Sequence, residues 1–392
     1  MPVKLFSLSF LLLTLAAFIG PAGPALSAGT AEPYALTLDF APEGETSALE
    51  AGFRRRLKLT GLFALAEAGA SGAGLTMRGQ ASGDGVSVVL MDAASGRRLI
   101  EGVYRPFQDL KDEWLDNFCN KALEAVSGRA GVFGSRIIFV TGEKSKKAIM
   151  EIDFGHDEPR VVEDIKNVFE SQPTLGPEGQ AAWIRRNGSV WELVRDGQVV
   201  SAGELHLSPA FKPDGTLVAA VSEENETSLY EFAGQSRRKL LQGRAIAVSP
   251  SFSPDGGQLA YVGAQNDLAR IYIYSAASGV SRMLSPSMGR MTDPAWSPDG
   301  GDIAFVSEET DICVIKADGT GLRQLTKDQG VNMKPAFSPD GRLIVFASDR
   351  NGQSELFVMT AEGENQSPLL PALEVSQHQP FWGPQRRYNL IY

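Results

Sequence analysis

The chain has 392 residues, of which 43% are hydrophobic and 21% are charged, and its formal net charge at pH 7 is −10. This composition excludes a disordered or fibrous protein, and the length favours two domains over a single core. The acidic balance argues against a nucleic-acid partner, because the phosphates would repel the protein.

The N-terminal segment has the features of a secretory signal. Lys4 precedes the apolar run LFSLSFLLLTLAAFIG, and prolines and small residues follow it directly. We therefore interpret residues 1–28 as a signal peptide. A retained membrane anchor is the less favoured alternative, because the run is shorter than the roughly 20 residues that a membrane span requires.

Residues 29–134 alternate between strand and helix patterns, which predicts a small α/β domain. YALTLDF predicts a strand, and SALEAGFRRRLKL has helical spacing. Two short extended runs follow, LFALAE and LTMRGQ, and then GVSVVLMDAASGRRLIEGVYRPF, which is typical of a hairpin. LKDEWLDNFCNKALEAV has one apolar stripe and predicts a second helix. We interpret the basic cluster Arg54–Lys58 as the solvated face of the first helix.

The two cysteines, Cys119 and Cys313, occupy a predicted helix and a predicted strand. An even number of cysteines in an exported protein permits one disulfide. Both positions, however, have the pattern of small buried hydrophobic residues. We expect both thiols to remain unbridged.

Residues 135–392 contain a repeat that opens on a proline and continues through an aromatic residue and a Pro-Asp-Gly turn. The opening prolines are spaced 36, 41, 44, 41 and 45 residues apart, at Pro173, Pro209, Pro250, Pro294, Pro335 and Pro380. Four short strands in such a period are typical of a propeller blade. The first unit lacks its opening strand and the last consists of little else. We therefore predict six blades, with one blade shared between the two ends of the repeat region to close the ring.

The turns within the repeat need a fixed φ, a carboxylate that caps the turn and a residue that accepts positive φ. Pro-Asp-Gly supplies all three, so we assign the aspartates and glycines a structural role. These residues are Asp214, Gly215, Asp255, Gly256, Asp299, Gly300, Asp340 and Gly341.

The order of these parts resembles the TolB family, the periplasmic component of the Tol–Pal cell-envelope system. The resemblance rests on the PD40-type repeat together with FRRRLKLTGLFALAE, GVSVVLMDAASGRRL, GRAGVFGSRIIFV and the terminal PFWGP. It implies a periplasmic scaffold that binds the peptidoglycan-associated lipoprotein Pal and through it associates with the outer membrane. It also implies roles in envelope integrity and cell division. The family contacts TolA through an N-terminal tail, which is short in this sequence.

The resemblance further implies that Pal enters a funnel formed where the chain approaches each opening strand. Loops on a rigid scaffold commonly build such binding sites. By motif position, the funnel would be lined by His206, Ser208, Val248, Ser249, Thr292, Asp293, Met333, Lys334, His378 and Gln379.

Motifs for catalysis are absent from the sequence. It has three histidines, none in an H-E-x-x-H or H-x-H arrangement, no cysteine pair with zinc spacing and no G-x-S-x-G elbow. We expect no catalytic residues, no metal and no cofactor. Two alternatives stay open: an exported propeller hydrolase or lyase that acts on oligosaccharide or peptide through the channel, and a TolB-like relative with a different lipoprotein partner.

Overall fold

The computed structural model of the protein describes most of the chain after the first 32 residues. The described ranges are 33–41, 44–66, 74–82, 85–105, 111–143, 146–166, 172–224, 226–234, 236–241, 246–265, 268–285, 289–371 and 373–385. The interpreted signal peptide lies outside them. Within these ranges, no helix has both the length and the apolar character that a membrane crossing demands.

The N-terminal domain is a five-stranded sheet in the order β2-β1-β3-β4-β5 with two helices packed against it. β1 pairs in parallel with β2 and β3, while β3, β4 and β5 are antiparallel. The predicted strand, hairpin and two helices are confirmed. The elements are β1 (Tyr34–Phe40), α1 (Gly44–Leu59), β2 (Phe63–Ala66), β3 (Leu75–Ser82), β4 (Gly85–Asp92), β5 (Arg98–Tyr104) and α2 (Lys111–Ser127).

The rest of the described chain forms six four-stranded antiparallel sheets, the blades of a propeller. The closing blade has the order β29-β6-β7-β8, from β6 (Ser135–Glu143), β7 (Lys146–Asp153), β8 (Arg160–Lys166) and β29 (Gln377–Gln385). Blade 1 comprises β9 (Thr174–Leu175), β10 (Ala181–Asn187), β11 (Val190–Arg195) and β12 (Gln198–Gly203). Blade 2 comprises β13 (Leu205–Phe211), β14 (Leu217–Glu223), β15 (Glu226–Ala233) and β16 (Ser236–Lys239).

The last three blades repeat the same order. Blade 3 comprises β17 (Ala247–Phe252), β18 (Gln258–Gln265), β19 (Leu268–Ser275) and β20 (Val280–Met283). Blade 4 comprises β21 (Met291–Trp296), β22 (Asp302–Ser307), β23 (Asp311–Lys316) and β24 (Arg323–Gln324). Blade 5 comprises β25 (Asn332–Phe337), β26 (Leu343–Ser348), β27 (Glu355–Thr360) and β28 (Ser367–Pro368).

The middle strands of each blade are buried on both faces because each sheet lies between two others. Every residue of β26 is buried, which explains its continuous apolar run LIVFAS. Phe346 on β26 packs with residues of blade 4, and Phe305 on β22 packs with residues of blade 3. The core of the propeller is therefore a series of apolar layers between successive blades.

The ring closes through the two ends of the repeat region, as the sequence predicts. β29 pairs antiparallel with β6, with Trp382 opposite Ile137. The indole Nε1–H of Trp382 also donates to Ser135 Oγ at 2.8 Å. Six blades and a shared closing blade are thus confirmed.

The Pro-Asp-Gly turns have the geometry that the sequence analysis assigns to them. Asp255 Oδ1 accepts a hydrogen bond from the backbone N–H of Gly257 at 2.9 Å, and Asp299 Oδ1 accepts one from Gly301 at 3.0 Å. Asp214 and Asp340 make the equivalent bonds to Thr216 and Arg342. The turn glycines have φ of 82°, 70°, 75° and 75° at Gly215, Gly256, Gly300 and Gly341.

The basic cluster Arg54–Lys58 is not a uniformly solvated face, and that interpretation is wrong for Arg56. Arg56 is only 2% exposed because α2 packs against α1 at this position. Its guanidinium lies 2.8 Å from carboxylate oxygens of both Asp112 and Asp116. Arg54, by contrast, faces solvent and pairs with Glu50.

Both cysteines are buried and free, as expected from their patterns. Cys119 is 0% exposed on α2 and Cys313 is 4% exposed on β23. Burial raises the pKa of both thiols, and that of Cys313 reaches about 11. Neither thiol is therefore poised as a nucleophile.

The N-terminal domain contacts the propeller on the face that carries the Pro-Asp-Gly turns. At the junction the ring of Phe154 packs between those of Phe133 and Trp382. Arg342, beside the blade 5 turn, donates to Ser127 Oγ at 2.7 Å at the end of α2. The domain junction therefore lies at the end of the propeller opposite to where the opening strands begin.

Candidate functional site

The residue before the opening proline has the same unusual backbone conformation in all six blades. Each of these residues has a positive φ between 42° and 53°, a region that side-chain-bearing residues rarely adopt. We call this set the pre-proline ring. It consists of Gln172, Ser208, Ser249, Asp293, Lys334 and Gln379.

A β-bulge accompanies this conformation in five of the opening strands. In blade 4, for example, the register shifts between Thr292 and Ala295, so that Asp293 and its proline are looped out of the ladder. The same shift occurs in β13, β17, β25 and β29. Proline has no N–H to lose from the ladder, so it suits this position. In these five blades the bulge turns one residue toward the propeller axis.

The pre-proline ring and the prolines behind it line the central channel, a cavity of about 230 Å³. Two pairs of neighbouring ring members are bonded to each other. Lys334 Nζ lies 2.7 Å from Asp293 Oδ1, and the backbone N–H of Gln172 donates to Gln379 Oε1 at 3.0 Å. The polar contacts within the ring therefore join blade 4 to blade 5 and the closing blade to blade 1.

Above the ring the channel widens into a mouth of about 680 Å³. Nine of the ten residues that the sequence analysis placed in the funnel line this one cavity. They are Ser208, Val248, Ser249, Thr292, Asp293, Met333, Lys334, His378 and Gln379. The alignment on the opening prolines brought these positions together, although they are spread over more than 170 residues of chain.

Residues 228–388, from the third strand of blade 2 to the C-terminal strand, match the family model of the TolB beta propeller domain (PD40). The chain is similar to TolB proteins over most of its length. It is 29% identical over 323 residues to the Protein TolB homolog of Chlorobium luteolum, an alignment that covers 79% of this chain and 74% of the relative. It is 32% identical over 160 residues to the Protein TolB homolog of Chlorobaculum tepidum, where the alignment covers 38% of this chain and only 37% of the relative.

The fold is also that of a solved TolB structure. The crystal structure of TolB from Acinetobacter baumannii superimposes with a TM-score of 0.78, covering 90% of this chain and 97% of that one. At 17% sequence identity this likeness concerns the fold. It extends over both the N-terminal domain and the propeller, which confirms the architecture inferred from the sequence.

His206 does not line the mouth of this TolB-like propeller, which corrects the sequence-based assignment. Its side chain is 0% exposed and lies in blade 2, with Nε2 2.9 Å from Ser201 Oγ and the ring near Phe232. The motif alignment placed it two residues before the pre-proline ring position. Successive strand residues face opposite sides, so Leu207 lines the mouth while His206 is turned away from it.

Eleven further lining residues of the mouth escaped the sequence analysis, among them Lys147, Gln172, Ile246 and Arg290. Gln172 could have been found, because it precedes Pro173 in the same alignment that identified the other ring members. Lys147 lies on β7 of the closing blade, and Ile246 and Arg290 lie upstream of the opening strands. Nothing in the repeat pattern marks those three as close to the axis.

The mouth of the TolB-like propeller combines exposed apolar side chains with charged groups. Ile246 and Met333 are 44% and 38% exposed. Arg290 pairs with Glu309 at 2.9 Å on the rim, while Lys334 pairs with Asp293 on the floor. Within the part of the chain that the structure describes, no group of three or more His, Cys, Asp or Glu side chains is placed to hold a metal ion. Such a surface is suited to contact with another polypeptide.

Proposed function

We propose that this protein is a non-catalytic scaffold of a Tol–Pal-type envelope system, exported to the periplasm, whose propeller mouth binds a Pal-type peptidoglycan-associated lipoprotein. In that role it supports outer-membrane integrity and cell division. The observation that carries the proposal is the pre-proline ring at the floor of an open mouth on a TolB-type propeller.

The backbone of the ring favours a binding role. A residue with a side chain in the left-handed region is less stable by on the order of 1–2 kcal/mol, and such conformations cluster at functional sites, where the surrounding structure holds them in place. Here six occur at equivalent positions around one axis. The closed propeller holds them rigidly, so a partner loop would meet a preorganised surface and lose little free energy to reordering it.

The side chains of the mouth favour a protein partner. Met333 and Ile246 offer exposed apolar area at the entrance, and Lys334 and Asp293 offer charges at the floor. Interfaces between proteins typically place apolar contacts at the centre and polar groups around them. Both kinds of contact are available within this one cavity.

The experiment measures the affinity of the purified chain for the soluble domain of a Pal-type lipoprotein encoded near it. Met333→Ala and Lys334→Ala should each weaken binding about tenfold, the scale of a contact at the centre of an interface. Leu322→Ala and Lys316→Ala are matched controls, because both residues are exposed and lie outside the mouth. These controls should change affinity less than twofold.

Absence of binding by the unmodified chain would overturn the proposed function. Equal effects of the mouth and control variants would place the interface elsewhere on the protein. Contact with TolA through the N-terminal segment belongs to the same proposal. Removal of residues 29–32, which lie outside the described ranges, should abolish TolA binding and leave the affinity for the lipoprotein unchanged.

A further inference from the structure

A line of four charged groups crosses the junction between the N-terminal domain and the propeller. Asp112 and Asp116 of α2 flank Arg56 of α1, with both carboxylates 2.8 Å from its guanidinium. The second oxygen of Asp116 lies 2.9 Å from Nε2 of His156. His156 belongs to the turn between β7 and β8, so the last step of the line joins the two domains.

Burial makes the charge balance of this cluster important. The side chains of Arg56 and Asp116 are 3% and 5% exposed, and that of His156 is 20% exposed. With a neutral imidazole the cluster holds two carboxylates and one guanidinium, a net charge of −1. A proton on His156 brings the net charge to zero. Asp112 is 60% exposed, so water screens much of its charge, and the buried carboxylate to be balanced is that of Asp116, which the imidazolium contacts directly.

The other charged groups around His156 belong to the same elements. On α1, Arg55 donates to the backbone oxygen of His156 and pairs with Asp157. On α2, Lys111 lies on the side of Asp112. The turn itself contributes Glu158 and Asp153, whose backbone oxygen accepts from the N–H of His156 at 3.0 Å. Arg55 thus anchors the backbone of the turn, while the imidazole bonds with Asp116.

We propose that His156 and Asp116 form a proton-dependent latch that strengthens the docking of the N-terminal domain on the propeller. In the protonated state an imidazolium pairs with a buried carboxylate across the junction. In the neutral state only a hydrogen bond between uncharged imidazole and carboxylate remains, and the cluster keeps an excess negative charge. The inference concerns the domain junction and is independent of what binds the mouth.

The electrostatics of the site agree with this geometry. Burial acts to lower the pKa of His156, but the hydrogen bond to Asp116 and the charges of Asp116 and Asp112 outweigh it, so the pKa lies above its usual 6.5. A pKa raised in the folded state means that the latch contributes fully below pH 6.5. Its contribution is lost as the pH rises through the folded-state pKa.

The test combines two measurements on the full mature chain. Nuclear magnetic resonance titration of the three histidines, assigned with His156→Gln, should give His156 a pKa above 6.5. Hydrogen exchange at the junction, corrected for the intrinsic rate, should report docking in residues 128–134 and 154–158. Between pH 6 and pH 8 the protection of these amides should fall about fivefold in the unmodified protein, as expected for loss of one ion pair of intermediate exposure.

Variants separate the latch from other pH effects. His156→Gln keeps a donor for Asp116 but cannot titrate, so its protection should be equal at both pH values. His378→Gln, in the mouth on the other face, should retain the fivefold change. Asp116→Asn should lower the pKa of His156 toward 6.5 or below. A His156 pKa of 6.5 or less in the unmodified protein, or a pH-dependent protection that survives in His156→Gln, would overturn the proposal.

Discussion

Lys334 Nζ lies 2.7 Å from Asp293 Oδ1, so the residues that precede the opening prolines of two neighbouring blades form an ion pair at the floor of the mouth. Both residues have the left-handed conformation, with φ of 53° and 51°. Their side chains are 27% and 16% exposed. The pair therefore joins two blades in a region that water can still reach.

A double-mutant cycle on this pair should give a small coupling free energy of unfolding. Asp293→Ala, Lys334→Ala and the double variant should show a coupling of about 0.5–1 kcal/mol, because a pair of intermediate exposure is partly screened by solvent. Urea denaturation of the four proteins measures it. A coupling well above about 2 kcal/mol would contradict this prediction and would mean that the pair contributes strongly to the contact between blades 4 and 5.

Gly300→Ala should destabilise the protein, whereas Gly301→Ala should not. Gly300 has φ of 75°, and a methyl group there would meet only Pro254 at 3.4 Å, so the cost is conformational and about 1–2 kcal/mol. Gly301 lacks the positive φ, and its methyl group would lie 3.4 Å from the Asp299 side chain in ordinary contact. Its free energy of unfolding should change by less than about 0.5 kcal/mol.

The measurement is urea denaturation of both glycine variants. Equal destabilisation of the two would contradict a role for the backbone conformation of Gly300, since the variants differ chiefly in that respect.

Arg56→Met should be far more destabilising than Arg54→Met in the same helix. Loss of Arg56 removes the guanidinium from the buried carboxylate of Asp116 and leaves only the partly protonated His156 beside it, which costs about 3–5 kcal/mol. Arg54 forms an exposed pair with Glu50, worth about 0.3–0.5 kcal/mol. Thermal and urea unfolding of the two variants measure the difference. Similar stabilities would show that the guanidinium of Arg56 is dispensable to the packing of α1 on α2.

His206 should make the protein less stable as the pH falls, opposite to the effect of His156. Burial lowers the pKa of His206 below 6.5, so the unfolded chain takes up a proton that the folded chain resists. Stability is therefore retained above pH 6.5 and declines as the pH falls from 6.5 toward the folded-state pKa. The stability advantage of the unmodified protein over His206→Gln should shrink between pH 7 and pH 5, measured by urea denaturation at each pH. A difference in unfolding free energy that stays constant between pH 7 and pH 5 would contradict a lowered pKa of His206.

Much of the fold could be predicted because the residues of each repeat have strong local preferences for turns and strands. Pro298, Asp299 and Gly300 form a turn through φ restriction, carboxylate capping and positive φ, and these preferences operate within four residues of chain. The apolar run of β26 likewise implies burial on both faces. The missing opening strand before Ser135 and the isolated one around Trp382 then required a shared blade, since an open end would expose a sheet edge.

The site could be predicted only as far as the repeat extends. Nine funnel positions followed from the opening prolines, but Arg290 and Lys147 did not, because Arg290 lies before the opening strand of blade 4 and Lys147 lies on a middle strand of the closing blade, outside the repeated motif. His206 was misplaced for a related reason. It stands two residues before the ring position, whereas Leu207, one residue before it, lines the mouth, and successive strand residues face opposite sides.

The sequence alone determined the number of blades, the chemistry of the turns and the apolar layers. It also determined the division into an α/β domain and a propeller. All of these depend on the preferences of residues that are neighbours in the chain. The tertiary structure decided which side chains face the channel and which charges meet at the domain junction. Arg56, Asp116 and His156 are 60 and 40 residues apart in sequence, and no local rule relates them. They meet because α1, α2 and the closing blade pack together, and each of these elements contributes one of the three side chains.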